Sequence, residues 1–392
     1  MSGTSRVYLD HNATAPLLPS ARAAMEAAIG RAWGNPSSPH AFGHEARVAL
    51  EEARETIAGL VGAAPGETIL VSGGTEADNL AILGVARARE RAIGSPGHVI
   101  TSAVEHPAVL EPCRRLESAG WRLSIVPVDR QGRIDPAAVA SELRPDTALV
   151  SIMAANNETG VIQPIEAIAA IGRETGIPVH VDAVQAVGRI PAAFADRGIS
   201  LLSISAHKIG GPVGIGALVV RDGTPLDPLV VGGGQEGRRR PGTEPVMLAI
   251  GFAAAATDAR AGLASEPARL AALRDGMERR LAAAIDGIRF NGSESRRLPN
   301  TSSMTIPGVD AESLVITMDL GGFAISTGSA CSTGAARASH VLLAMGLPPE
   351  DLSATIRVSL GHGSTRDGID AFTDALPAAV AKCRPAAAER RA

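Results

Sequence analysis

The sequence predicts an α/β protein with a large domain on a mostly parallel, doubly wound seven-stranded sheet flanked by helices, and a smaller α+β domain. Three observations carry this expectation. Short β-branched runs alternate with Ala-rich amphipathic stretches from Thr68 to Val220, as in strands joined by helical crossovers. At 392 residues the chain is longer than one ordinary core serves, so two packed domains follow. A third sign is the change of texture after Asn300, where strand and helix patterns become shorter and are interrupted by a Gly/Ser/Thr loop.

Taken in order, the runs predict strands over Thr68 to Ser72, His98 to Ser102, Leu123 to Val128, Ala148 to Met153, Pro178 to Val181, Leu201 to Ser205 and Gly216 to Val220. Helical patterns such as Ala46 to Val61 and Thr75 to Arg91 lie between several of them. After a Gly-rich loop, Gly232 to Gly242, one long Ala/Leu/Arg helical region runs from Val246 to Ile285. The later part reads as a strand (Ser302 to Ile306), a helix (Ala311 to Leu320), a loop (Ser326 to Gly334), a further helix, a strand (Thr355 to Leu360) and a final helix. The chain is expected to divide into a large domain, 15–258, and a small one, 1–14 with 259–392. The tail after Arg384 is expected to fray.

Composition narrows the function classes. A net charge of −4 and 20% charged residues give no electrostatic bias toward nucleic acid or an anionic membrane. Aromatic residues, at 2%, are too few to build base-stacking platforms. The N-terminus shows no basic region followed by an apolar stretch, and no apolar run reaches spanning length, so a cytoplasmic protein is expected. Three widely separated cysteines, Cys113, Cys331 and Cys383, fit neither a disulfide framework nor metal-ligand spacing.

Of 37 basic residues only Lys208 and Lys382 are lysine. A lysine inside an apolar, small-residue stretch invites a role that a guanidinium cannot fill, and forming an imine is such a role. Lys208 ends S-I-S-A-H-K, at a predicted strand end, with His207 and Ser205 beside it; read alone, it is also compatible with an ordinary loop lysine. Asp182 stands at the end of P-V-H-V-D-A-V-Q, where it serves either as a partner for a buried cation or as a helix N-cap. Gln185 follows three residues later. In V-S-G-G-T-E-A, Gly74 and Thr75 open a helix whose free N–H groups suit a phosphate, although the same text makes a plain helix start. His106 in E-H-P-A-V reads as a site residue or a surface histidine. Cys331 lies among Gly, Ser and Thr rather than apolar residues, which fits a reactive thiol on a loop and not a packed one.

Together these segments resemble the NifS/IscS-type cysteine desulfurases, fold-type I enzymes dependent on pyridoxal 5'-phosphate (PLP). The resemblance runs from Y-L-D-H-N-A-T-A-P at Tyr8 through N-N-E-T-G-V-I-Q at Asn156 and S-A-H-K-I-G-G-P at Ser205. It continues through G-G-G-Q-E-G-R-R-R-P-G-T at Gly232, S-T-G-S-A-C-S-T-G at Ser326 and I-R-V-S-L-G at Ile356. It implies that Lys208 bonds the cofactor, Asp182 holds the pyridinium nitrogen and His106 stacks on the ring and shuttles protons. Asn157 and Gln185 would contact the ring hydroxyl side, with Gly74, Thr75, Ser205 and His207 at the phosphate. Thr243 would complete the phosphate site of a partner subunit, implying a homodimer. Arg357 would clamp the carboxylate of L-cysteine, with Asn157 alongside, and Cys331 would take the sulfur as a persulfide and release alanine. The sulfur would pass to an acceptor such as an iron–sulfur scaffold or a thiolation protein. Selenocysteine lyases and class-V aminotransferases share the fold and stand as alternatives, as does a silent scaffold of a sulfur-transfer complex. Ala15, Val213 and Pro241 depart from the usual text of the family without removing a catalytic group.

Overall fold

β-Branched and small apolar residues that alternate with glycine turns pair into twelve strands in the computed structural model, which describes residues 6–191, 198–327 and 338–384. The strands are β1 (Val7–Tyr8), β2 (Thr68–Val71), β3 (His98–Ser102), β4 (Arg122–Val126), β5 (Thr147–Met153), β6 (Val179–Asp182), β7 (Leu201–Ser205), β8 (Gly216–Val220), β9 (Arg289–Phe290), β10 (Thr301–Thr305), β11 (Phe323–Ala324) and β12 (Thr355–Ser359). The helices are α1 (Pro19–Ala28), α2 (Ala41–Val61), α3 (Gly74–Ile93), α4 (Pro107–Ser118), α5 (Pro136–Ser141), α6 (Ile165–Thr175), α7 (Val246–Gly262), α8 (Glu266–Ala284), α9 (Ala311–Leu320), α10 (His340–Ala344), α11 (Pro349–Leu352) and α12 (Arg366–Cys383).

The seven-stranded sheet has the order β2-β8-β7-β6-β5-β3-β4. Its strands β7, β6, β5, β3 and β4 run parallel, while β8 is antiparallel to both neighbours. Every residue of β3, β5, β6 and β7 is buried, as a parallel sheet covered on both faces requires. One face packs under α2, α6 and α7, with Leu50, Ile57, Ile168 and Phe252 in its core; the other packs under α3 and α4, with Leu80, Val85 and Val109. A second sheet, β12-β10-β9, forms a separate core with α8, α9 and α12, centred on Met277, Leu314, Ile356 and Phe372.

Several expected boundaries move for local reasons. α2 starts at Ala41 and not Ala46, because the His40 ring accepts the N–H of Gly43 at 3.2 Å and caps the added turn. β4 ends at Val126 and not Val128; Val128 turns back to bridge Ile134. The single helical region expected from Val246 to Ile285 is two helices, α7 and α8, bent by 74°. Pro267 in the first turn of α8 has no N–H to continue the ladder from α7. The apolar faces change partner at this bend: Phe252 of α7 joins the core of the large sheet, and Leu270, Met277 and Leu281 of α8 join that of the small one. Cys383 closes α12 and packs against the small core. Among the described residues no single helix is long and apolar enough to cross a membrane.

Candidate active site

Parallel strands deliver their carboxyl ends to one edge of a sheet, and here the ends of β5, β6 and β7 lie side by side. Asp182 is the last residue of β6, paired with Met153 of β5 and Ser203 of β7. Ser205 ends β7, and the single turn Ala206–Lys208 that follows carries His207 and Lys208. Above this edge is a cavity of about 300 Å³. Gly74, Thr75, Ser205 and His207 stand at its wall, as do His106, Asn157, Asp182 and Gln185, with Lys208 and Arg357. A larger cavity, about 630 Å³, opens beside Arg54 and Gln235, but it is lined by ion-paired side chains and contains none of the expected site residues.

The polar groups of the smaller cavity are held from several directions. Lys208 Nζ donates to the carbonyls of Asn12 and Ala13 at 2.6 and 2.8 Å. Asp182 accepts the N–H of Val184 at 2.9 Å in the turn that follows, where no described helix starts; burial pushes the carboxyl up to about 6 against the pull of that bond and of the Lys208 charge. Gln185 donates to the Asn12 carbonyl at 3.0 Å and accepts from Arg189. The His106 ring caps α4 by accepting from Ala108 at 3.1 Å; burial, and then the Lys208 charge, lowers it to about 4, so it is neutral at pH 7. His207, bonded to Thr14 Oγ1 at 3.1 Å, is likewise lowered to about 4 by burial and Lys208. Arg357 is buried, donating to Asp10 Oδ1 at 2.7 Å and the Asn157 carbonyl at 3.1 Å.

Comparison with known proteins gives this cavity a context. The class-V aminotransferase model matches residues 7–372. The cysteine desulfurase IscS of Dictyoglomus turgidum is 46% identical over 96% of this chain and 95% of its own. A solved NifS-like protein superposes with a TM-score of 0.90 at 34% identity, covering 96% of this chain and all of the other (100%). SspA, solved in complex with cysteine, superposes with a TM-score of 0.79 at 33% identity over 90% of this chain and 98% of its own. The chain belongs to the cysteine desulfurases of the class-V aminotransferase family. Enzymes of this family depend on PLP.

The cavity suits such a cofactor by its own chemistry. Helix α3 has no side-chain cap, so its first N–H groups are left for an anion. A Cβ on Gly74 would meet Val184 Cγ2 at 2.8 Å, so the backbone here approaches its neighbours more closely than a larger residue permits. Ser205 Oγ is buried and has no hydrogen-bond partner among the described residues. Asp182 is a buried carboxylate suited to a cationic ring nitrogen.

The remaining expected site residues are Thr243 and Cys331. Thr243 is exposed, on the segment after the turn Gln235–Arg238. Cys331 lies outside the described residues; before it, Ser326 bridges the backbone of Arg357 at 2.6 and 3.1 Å. Cys113 is fully buried, and burial pushes its thiol up to about 12, as expected of a packed cysteine.

The structure adds three groups that sequence reasoning did not single out. Asn12 supplies the carbonyl shared by Lys208 and Gln185. Asp78, buried on α3 one turn after Thr75, lies 3.5 Å from His180 and is pushed well up by burial and then by the charge of Asp182. Glu105 is buried behind it and pushed up to about 8, chiefly by burial. The signal for Asp78 was its place between Ala77 and Leu80 on the buried face of α3, where a carboxylate interrupts an apolar stripe.

Proposed function

We propose that this chain is a PLP-dependent desulfurase of free L-cysteine, with Cys331 as the sulfur acceptor. The observation that carries it is the convergence of Lys208, Asp182, His106, Gln185, Arg357 and the N-terminus of α3 on one cavity. PLP supplies an electron sink for the Cα–H bond of an amino acid. Lys208 would bond the cofactor aldehyde, and its Nζ is the base that would take the Cα proton. Asp182 holds the ring nitrogen protonated. His106 would stand against the ring face; with Nδ1 taken by the Ala108 N–H, the neutral ring carries its proton on Nε2, from where it would be handed on and regained. Asn157 and Gln185 would orient the ring hydroxyl side, and Gly74, Thr75, Ser205 and His207 would bind the phosphate. Arg357, with Asn157 beside it, orients the substrate carboxylate.

In the transfer step the Cys331 thiolate attacks the substrate Sγ. The Cβ–Sγ bond breaks, the Cys331–S bond forms, and the three-carbon remainder takes up protons to leave as alanine. We further propose a large unit at 15–258 and a small one at 1–14 and 259–392. The change of core at the α7–α8 bend, and Leu9 packing in the small core, support that division. The exposure of Thr243 supports a homodimer in which it serves the partner's phosphate site. The sulfur acceptor is a further protein, an iron–sulfur scaffold or a thiolation protein, and a thiol-preserving cytoplasmic setting suits the single-thiol chemistry.

The test is Cys331→Ala. It should bind PLP and L-cysteine with spectra like those of the wild type, yet form neither persulfide nor alanine at an appreciable rate. Undiminished alanine release, or added sulfur found on Cys113 in the wild type, would overturn the assignment.

A further inference from the structure

The segment after Gly234 adopts an uncommon backbone. Glu236, Gly237 and Arg238 occupy the left-handed region in succession, with φ of 47°, 63° and 65°. Two of the three carry side chains, and such residues persist there only where surrounding contacts over-determine them.

Two anchors do so. The buried Glu236 carboxylate takes two hydrogen bonds from Arg54, at 2.6 and 2.8 Å, and accepts the N–H of Leu70 at 2.9 Å. Leu70 belongs to β2, the outer strand of the sheet, and Arg54 also donates to the carbonyl of Thr68 on that strand, at 2.9 Å. Further along, Arg240 grips Glu76 at 2.9 Å in the first turn of α3, and Glu76 accepts the N–H of Ser72 at 2.6 Å. Between Leu70 and Glu76 lies the turn Ser72 to Thr75, which leads into the cavity wall formed by Gly74 and Thr75. The buried, unpartnered Ser205 Oγ lies 4.0 Å from where a Cβ on Gly73 would stand, so an unsatisfied polar group faces this same turn.

We infer that Glu236 and Arg240 are positioning residues that clasp the Ser72–Thr75 turn from both sides and set its N–H groups for the phosphate of the cofactor. This rests on the reading of that turn as the phosphate cradle. Arg240 has a second effect, because Glu76 would otherwise present a bare negative charge beside an anion site. Although burial raises the Glu76 carboxyl, the bonds from Arg240 and Ser72 hold it below its usual value, so it is ionised and its pairing matters.

Binding of PLP and of pyridoxal, which lacks the phosphate, to the full-length cofactor-free protein separates cradle geometry from general stability. Both are followed by visible absorbance. The wild type should favour PLP strongly. Glu236→Gln and Arg240→Ala should each cut the affinity for PLP by about fivefold or more, leaving that for pyridoxal unchanged. Adding Glu76→Gln to Arg240→Ala should restore more than half of the loss. Arg238→Gly, which relaxes the turn and keeps both anchors, should raise the melting temperature with the preference intact. Affinities for PLP and pyridoxal that fall together, or a preference retained in both single variants, would overturn the clasp. Should Glu236→Gln fail to fold, Arg240→Ala and its double variant decide the matter alone. A wild type with no preference for PLP would remove the cradle itself, and the clasp with it.

Discussion

The two sides of the cavity are built by different means. The side proposed for the cofactor consists of strand ends in the interior of one mostly parallel sheet: Asp182 and Ser205 terminate neighbouring strands whose register pairs Asp182 with Ser203, and both are buried. The side proposed for the substrate is Arg357 on β12 of the small sheet, whose guanidinium reaches across to Asp10 and to the Asn157 carbonyl. One side is placed by main-chain pairing, the other by the ion pair of Arg357 with Asp10. On the proposed reading the groups for chemistry are preset, whereas the group for substrate recognition is held by a carboxylate, the same kind of group as the one it would bind on the substrate.

Removing chemistry from the preset side should have the largest effect. Lys208→Ala is expected to lower alanine formation by about 10³-fold or more and to abolish the visible band of lysine-bound cofactor. Lys382→Ala, on the exposed last turn of α12, should leave both unchanged. A Lys208→Ala protein with a normal spectrum would break the assignment of that side.

A smaller loss is expected on the other side. Arg357→Ala should reduce kcat/KM for L-cysteine by roughly 2–4 kcal/mol in transition-state binding, with the cofactor spectrum retained. Arg357→Lys should rescue it poorly, since an ammonium cannot form the bidentate pair. Steady-state kinetics with wild-type kcat/KM for Arg357→Ala would show that the substrate carboxylate is bound elsewhere.

The buried acids behind the cofactor side permit a pH test. Glu105, raised to about 8, keeps its proton in the folded protein while its unfolded counterpart ionises near its ordinary value, so its contribution to stability falls as pH rises through that window. His11, His106 and His207, each lowered to about 4, act oppositely: their contributions grow as pH rises to about 6.5, the ordinary histidine value, and are complete above it. Between pH 6.5 and 8 the Glu105 contribution therefore drops by about 2 kcal/mol. Urea unfolding of the cofactor-free protein should show Glu105→Gln losing that part of the decline, because Gln still accepts from Ser102 and from the Met153 N–H. Identical pH slopes for the two proteins would contradict the burial argument.

The smallest effect should come from Cys113→Ala. Its thiol packs against Val109 and Leu116 in the core beside α3, far from a reactive state, so turnover should be unchanged and only a modest loss of melting temperature seen.

Several features were legible in the sequence because they are local. Alternating β-branched runs and Ala-rich stretches report burial and period, and they located the seven strands of the large sheet to within two residues. The scarcity of lysine pointed to Lys208, and the glycines and hydroxyl residues around it marked a strand end leading to a tight turn. At Asp182 the local signal was ambiguous: no described helix follows for it to cap, and the carboxylate instead accepts the N–H of Val184 in a turn and lines the cavity. The helical texture from Val246 to Ile285 concealed a bend, because composition reports helix propensity and not the direction of the axis.

Tertiary structure alone decided the contacts between distant segments. The bond from Lys208 to Asn12 joins residues 196 apart, and that from Arg54 to Glu236 joins residues 182 apart. Neither has a periodic signature, since each depends on how the sheet is ordered and where the chain returns after long crossovers. The raised carboxyls of Asp78 and Glu105 belong to the same class: side chains of ordinary sequence are pushed up because the fold removes water from around them and places Asp182 nearby. The amino-acid text determined which chemical groups are available and on which kind of element each sits. The packing of two cores across the segment around Asn12 determined which of those groups meet, and in what state of charge.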